Sequence, residues 1–223
     1  MGVNMTDAMY VQLLDLACGA FLLTGVLVLW RRELSAIVWL FALQGVALTA
    51  LIVVLGSWQA DLELILVGAG VGALRAGLLP YLMRRALVAG GEGRETQPLV
   101  NVATSLVVAA VLAMLAYALS QPLVRLSPTP ATQAVPVALT VLLIGFFVLV
   151  TRRRALSQLV GFLLMDNAIT ATAFLTTSGV PLVVELGISL DLLLAVLVLQ
   201  VLTTRMRAAF GGTDLDELRE LHD

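Results

Sequence analysis

The sequence contains no lysine, one cysteine and one histidine, and these scarcities exclude several kinds of site. All 13 basic residues are arginine. The single Cys18 cannot form a disulfide or a thiolate metal site within the chain. His222 stands one residue before the end, and no HExxH, CxxC or Ser-His-Asp arrangement is present. We therefore expect no catalytic residue, no metal and no cofactor in this chain.

Charge is also scarce, because only 13% of the residues are charged while 60% are hydrophobic. Soluble domains average about 25% charged and about 45–50% apolar residues. A chain this apolar needs the lipid bilayer as a solvent. The net charge of −2 argues against a nucleic-acid partner.

Long apolar runs dominate what remains. A hydrocarbon core about 30 Å thick requires roughly 20 apolar residues in helical form, and the runs are too continuous for barrel strands. The sequence predicts an all-α integral membrane protein with seven transmembrane helices. The predicted segments are 10–30, 35–56, 63–83, 99–120, 134–151, 155–178 and 181–204.

The arginines indicate how the predicted helices are oriented. Eleven of them follow the odd-numbered segments, while Arg125 is the only one expected on the opposite side. This asymmetry predicts that the N-terminus lies outside and the C-terminus in the cytoplasm. The eleven are Arg31, Arg32, Arg84, Arg85, Arg94, Arg152, Arg153, Arg154, Arg205, Arg207 and Arg219.

A shift of 122 residues aligns RRELSAIVWLFALQG, 31–45, with RRALSQLVGFLLMDN, 153–167. The first three segments therefore resemble the last three, which predicts two parallel three-helix repeats joined by a linker helix. In this alignment Gln44 occupies the position of Asp166. The predicted domains are a first repeat, 1–85; a cytoplasmic loop, linker helix and outer loop, 86–133; a second repeat, 134–210; and a cytoplasmic tail, 211–223.

Two stretches and the tail interrupt the apolar pattern. Residues 86–98 are expected to form a cytoplasmic loop, and the proline-containing residues 121–133 an outer loop. The tail has leucines near one face and a capping-box spacing from Thr213 to Asp216. It is either a solvated tail or a docking helix for cytoplasmic subunits.

Ionisable residues at mid-membrane depth are the candidate functional residues. A charge there costs about 2.5–3.5 kcal/mol on insertion scales, so such groups face protein or water. Arg75 and Asp166 lie near the centres of their segments and are expected to reach each other. Two interpretations remain open, a structural ion pair between two helices and part of a proton-conducting polar axis.

Four further residues complete the candidate set. Asn167 and Gln44 would extend a polar axis, since buried waters need polar partners. Glu185 and Asp191 lie in the outer half of the seventh segment, and their six-residue spacing places them on roughly opposite faces.

Several of these stretches resemble component E of hydrogenase-four and of formate hydrogenlyase-type, group-four NiFe hydrogenase complexes. The stretch VELGISLDLLLAVLVLQVL, 184–202, followed by the acidic, leucine-containing tail, resembles the end of that family. Asp166-Asn167 stands where the family has a Glu-Asn pair. FALQG, 41–45, is similar to a stretch of its second helix. LRAGLLPYLMRR, 74–85, is similar to its third helix, with Arg75 in place of a lysine.

The resemblance implies a non-catalytic membrane subunit of a complex-I-like hydrogenase or dehydrogenase in a prokaryotic cytoplasmic membrane. That family is distantly similar to the K-type subunit of respiratory complex I and the C subunit of cation/proton antiporters. The implied partners are antiporter-like membrane subunits, cytoplasmic subunits and lipid, and the implied role is proton translocation and assembly. The alternatives are a purely structural assembly subunit and a small stand-alone transporter.

Overall fold

The computed structural model describes residues 6–90, residues 100–177 and Val196, and over this part of the chain it is helical without a β-strand. A π-helical segment, Gly72–Leu78, connects the third and fourth α-helices. The α-helices are α1 (Asp7–Trp30), α2 (Leu34–Gln59), α3 (Leu62–Val71), α4 (Leu79–Gly90), α5 (Val102–Leu126), α6 (Pro130–Gln133), α7 (Val135–Thr151) and α8 (Ala155–Thr176).

Among the described residues, six helical stretches are long and apolar enough to cross a bilayer. The third stretch, Leu62–Val88, combines α3, the π-helical segment and most of α4, and the fifth, Pro130–Thr151, combines α6 and α7. The prediction of membrane helices is therefore confirmed for the first six segments. The seventh, 181–204, lies outside the described residues apart from Val196, so the seven-helix count and the repeat remain predictions.

The predicted outer loop, 121–133, is mostly helical instead. Helix α5 continues through Pro122 to Leu126, and a capping box at Thr129 starts α6 immediately afterwards. An internal proline removes one backbone hydrogen bond but does not by itself end a membrane helix. The non-helical connection between α5 and α6 consists of residues 127–129 alone. Helix α4 likewise extends to Gly90, so the first five residues of the predicted cytoplasmic loop, 86–98, are helical instead.

Local sequence signals explain where three of the long helices begin. Thr6, Asp61 and Asn101 precede α1, α3 and α5, and each side chain accepts a hydrogen bond from an amide of the first turn. Such caps satisfy backbone donors that have no partner within the helix. Helices α2 and α8, by contrast, begin after arginine-rich turns with no side-chain cap bond.

Helices α7 and α8 pack with their backbones in direct contact at a pair of glycines. A Cβ atom added at Gly161 would lie 2.6 Å from the amide nitrogen of Leu149 and 2.9 Å from the carbonyl oxygen of Gly145. One added at Gly145 would lie 2.8 Å from the amide nitrogen of Met165. Small residues allow this close approach in membranes, where packing rather than the hydrophobic effect drives helix association.

We expect Gly161→Ala to destabilise the protein by about 1–3 kcal/mol, the usual cost of overpacking, because its new methyl group meets backbone atoms. Gly70→Ala is the matched control, since a Cβ there has no heavy atom of a neighbouring element within 4 Å. Unfolding of the two purified variants in detergent measures the difference. Equal stability of both variants would contradict the backbone contact between α7 and α8.

Candidate functional site

Arg75 reaches the centre of the bundle from the π-helical segment and is 0% exposed. In this segment the Leu79 amide donates to the Leu74 carbonyl, five residues back rather than four. Pro80 follows directly and has no N–H to donate to the Ala76 carbonyl, as a regular α-helix would require. The helix changes from π-helical to α-helical just before this proline. π-helical turns occur frequently at functional sites.

Gly45 on α2 provides space for the backbone that carries Arg75. A Cβ atom at Gly45 would lie 2.8 Å from the carbonyl carbon of Arg75 and 2.8 Å from the amide nitrogen of Ala76. A larger residue would push the π-helical segment away from α2. The glycine therefore brings the Arg75 backbone beside Gln44, the preceding residue on α2.

Four polar side chains meet across three elements, and we call them the polar chain: Asp166, Arg75, Asn167 and Gln44. Arg75 Nη1 forms an ion pair with Asp166 and donates a 2.8 Å hydrogen bond to Asn167 Oδ1. Asn167 Nδ2 donates a 3.0 Å hydrogen bond to Gln44 Oε1. Gln44 is 0% exposed, Asn167 is 1% exposed, and the Asp166 side chain is 14% exposed.

The arginine fixes the direction of every hydrogen bond in the polar chain. A guanidinium only donates, so the oxygen of Asn167 must face Arg75 and its nitrogen must face Gln44. Gln44 must then present its oxygen to Asn167. Its nitrogen, Nε2, consequently points to the far side, where it is buried and has no hydrogen-bond partner among the described residues.

The structure thus brings together four of the six candidate residues named from the sequence. The other two, Glu185 and Asp191, lie outside the described residues. Within the described ranges, no group of three or more His, Cys, Asp or Glu side chains could hold a metal ion. The polar chain can link α2, the π-helical segment and α8, and its carboxylate can exchange a proton.

The sequence reasoning missed the role of Arg152, which was counted only as a sign of orientation. Its side chain is buried, with 5% exposure, and Nη2 donates to the carbonyl oxygens of Val28 at 3.0 Å, Leu29 at 3.2 Å and Arg31 at 3.3 Å. These carbonyls stand at the end of α1, where a cation also interacts favourably with the helix dipole. The only feature of the sequence that could have indicated this contact is the position of Arg152 directly after the apolar stretch that forms α7.

Two groups of curated proteins are similar to the chain. It is 52% identical over 220 residues to the uncharacterized protein Rv0085 of Mycobacterium tuberculosis, covering 98% of this chain and 100% of that protein. It is 26% identical over 217 residues to hydrogenase-4 component E of Escherichia coli K12, covering 97% of this chain and 99% of that protein. Component E of Shigella flexneri gives the same values. No protein-family model and no solved structure matches the chain.

Proposed function

We propose a function on two premises: the chain belongs to the family of the mycobacterial protein Rv0085, and this chain is distantly homologous over its full length to hydrogenase-4 component E. The protein acts as a non-catalytic membrane subunit of an energy-converting, complex-I-like hydrogenase or dehydrogenase. Its polar chain contributes to a mid-membrane axis for proton translocation and to assembly. The redox chemistry takes place in other subunits.

The full-length similarity and the six apolar helical stretches within the described ranges support membership of a membrane assembly. The alignment with component E covers 97% of this chain and 99% of that protein, so it includes the helices that carry the polar chain. That relative is, by its name, one component of a hydrogenase. The partners proposed for this chain are other membrane subunits, including antiporter-like ones, and cytoplasmic subunits that contact the C-terminal tail.

The buried polar chain is the observation that carries the role in ion movement. Ionisable groups at membrane depth are expensive and commonly mark ion or proton paths. Asp166 can bind and release a proton, whereas Arg75 keeps its charge and acts as a fixed counter-ion. Asn167 and Gln44 offer donors and acceptors at the same depth, so a proton on Asp166 lies beside groups that can order water.

A structural role is the second candidate, and the arginine's hydrogen bonds favour it. Arg75 contacts Asp166 and Asn167 through the same nitrogen, and Asn167 in turn contacts Gln44. These contacts join helices that are far apart in the sequence. Hydrogen bonds whose donors and acceptors are fixed in this way can hold helices together as well as they can support a proton path.

The proposed orientation places the arginine-rich turns in the cytoplasm. Arg152, in the turn between α7 and α8, bonds to the end of α1, next to Arg31 and Arg32. Two arginine-rich turns therefore lie at the same end of the bundle, which supports a common cytoplasmic side. This orientation corresponds to an outer N-terminus in a prokaryotic cytoplasmic membrane.

Copurification tests the proposed function. A tagged full-length chain, extracted mildly from its native membrane, should bring along larger membrane subunits in fixed proportion together with redox subunits. The same chain purified alone should have no hydrogenase, formate-oxidising or quinone-reducing activity. A stable, homogeneous protein without partners that transports a solute after reconstitution would instead identify a stand-alone transporter.

A further inference from the structure

Two short turns concentrate positive charge at one end of the bundle. The turn between α1 and α2 contains Arg31 and Arg32, and the turn between α7 and α8 contains Arg153 and Arg154. Arg152 joins the two turns, because its guanidinium donates a hydrogen bond to the Arg31 carbonyl oxygen at 3.3 Å. We call Arg31, Arg32, Arg153 and Arg154 the arginine patch.

Few negative charges oppose the arginine patch. Residues 31–33 and 152–154 contain five arginines and one glutamate, Glu33, so together they carry a net charge of +4. Glu33 is the only carboxylate at this end among the residues that the structure describes. The other described carboxylates belong to the opposite half of the bundle or to its centre: Asp7, Asp15, Asp61, Glu63 and Asp166. The patch therefore attracts anions.

The two turns are too short to carry this charge away from the membrane surface. Each joins two membrane-spanning stretches through only three residues, 31–33 and 152–154. The guanidinium groups therefore lie within one side-chain length of the helix ends, at the level of the lipid phosphates. Trp30, the last residue of α1, is 62% exposed beside them, and tryptophan favours this interface between lipid and water.

We propose that the arginine patch binds the phosphate of an anionic phospholipid headgroup. Guanidinium groups suit this ligand because each can donate two parallel hydrogen bonds to a phosphate. Basic clusters directly beside membrane-spanning helices attract anionic lipids. Since Arg152 holds the two turns together, one headgroup contacts arginines of both turns and links the α1–α2 pair to the α7–α8 pair. This inference depends neither on the proposed function nor on the orientation of the protein in the membrane.

Trp30 provides a fluorescent report of which lipid occupies the patch. The chain has three tryptophans, so Trp39→Phe combined with Trp58→Phe leaves Trp30 as the only one. This full-length protein is reconstituted into vesicles that mix phosphatidylcholine with phosphatidylglycerol, and one of the two lipids is labelled with bromine, which quenches tryptophan fluorescence. We expect labelled phosphatidylglycerol to quench Trp30 more strongly than labelled phosphatidylcholine at the same mole fraction.

Removing one arginine from each turn should abolish most of this preference. An arginine near an anionic membrane surface contributes about fivefold in affinity, so Arg32→Gln combined with Arg153→Gln should weaken phosphatidylglycerol binding about 10–30-fold relative to phosphatidylcholine. Arg84→Gln combined with Arg85→Gln is the matched control. These two exposed arginines lie at the same end on α4, whose Met83 packs in the same buried cluster as the end of α1. The control should keep most of the preference.

Four results would overturn the lipid site. Equal quenching of Trp30 by the two labelled lipids would show that the patch selects no headgroup. Equal losses in the two pairs of variants would reveal only diffuse surface charge. Loss of the preference in inorganic phosphate, but not in sodium chloride of equal ionic strength, would assign the arginines to a soluble phosphate. An unchanged preference in Arg32→Gln with Arg153→Gln, together with loss of copurifying cytoplasmic subunits, would assign them to a protein partner.

Discussion

Asp166→Asn should lower the stability of the protein by about 3–5 kcal/mol, because it removes the carboxylate that faces the buried Arg75 guanidinium. The expected result is a large loss of assembled complex from the membrane, measured as the amount of partner subunits that copurify. Combining Asp166→Asn with Arg75→Gln removes both charges and should restore much of the assembly. Ion coupling, measured as proton uptake during turnover in vesicles, should remain absent in the double variant.

The two readouts separate the two roles proposed for the polar chain. Recovery of both assembly and coupling in the double variant would mean that the ion pair only holds helices together. Normal assembly and coupling in the single Asp166→Asn variant would exclude both roles. Asp15→Asn is the matched control, since Asp15 is an exposed carboxylate within another membrane-spanning helix. It should assemble and couple normally.

Arg152→Ala should destabilise the end of α1 by about 1.5–3 kcal/mol, the usual scale for hydrogen bonds with a charged donor. The substitution leaves the carbonyls of Val28, Leu29 and Arg31 without the guanidinium that now contacts them. The expected result is faster amide hydrogen exchange in the last turn of α1 and a lower melting temperature.

Lysine at the same position provides a graded comparison. Arg152→Lys keeps the positive charge, but it replaces a planar guanidinium by a single ammonium group, so we expect partial recovery. Arg32→Ala is the control for loss of charge, because Arg32 is exposed in the same region. Identical exchange at the end of α1 in the Arg152→Ala and Arg32→Ala variants would show that the carbonyl contacts contribute nothing.

The sequence alone predicted the helical class and the first six membrane segments, because these depend on length and apolar composition. Depth in the membrane also singled out Arg75 and Asp166 before any geometry was known. The structure shows that the two side chains are in contact and that Asn167 and Gln44 continue from them. The role of these residues in ion movement stays a prediction.

Three other features depend on interactions that the distribution of apolar residues along the sequence does not reveal. Helix α5 continues through Pro122 to Leu126, past the end of the apolar run from which the segment was predicted. The π-helical turn depends on which backbone carbonyl each amide donates to, and an apolar pattern does not reveal that pairing. Arg152 carries the same charge as its neighbours in the sequence. Only the proximity of α1 and α7 shows that its guanidinium caps a helix, and that proximity is a tertiary property.

The glycine contact between α7 and α8 has a mechanical consequence for the polar chain. Asp166 and Asn167 are carried by α8, whose backbone touches that of α7 at Gly145 and Gly161, so these two side chains belong to a stiff two-helix unit. Arg75 is carried by a π-helical segment whose backbone meets α2 in the same way at Gly45. Any movement that alters the ion pair should therefore shift α2 and the π-helical segment together against the α7–α8 unit.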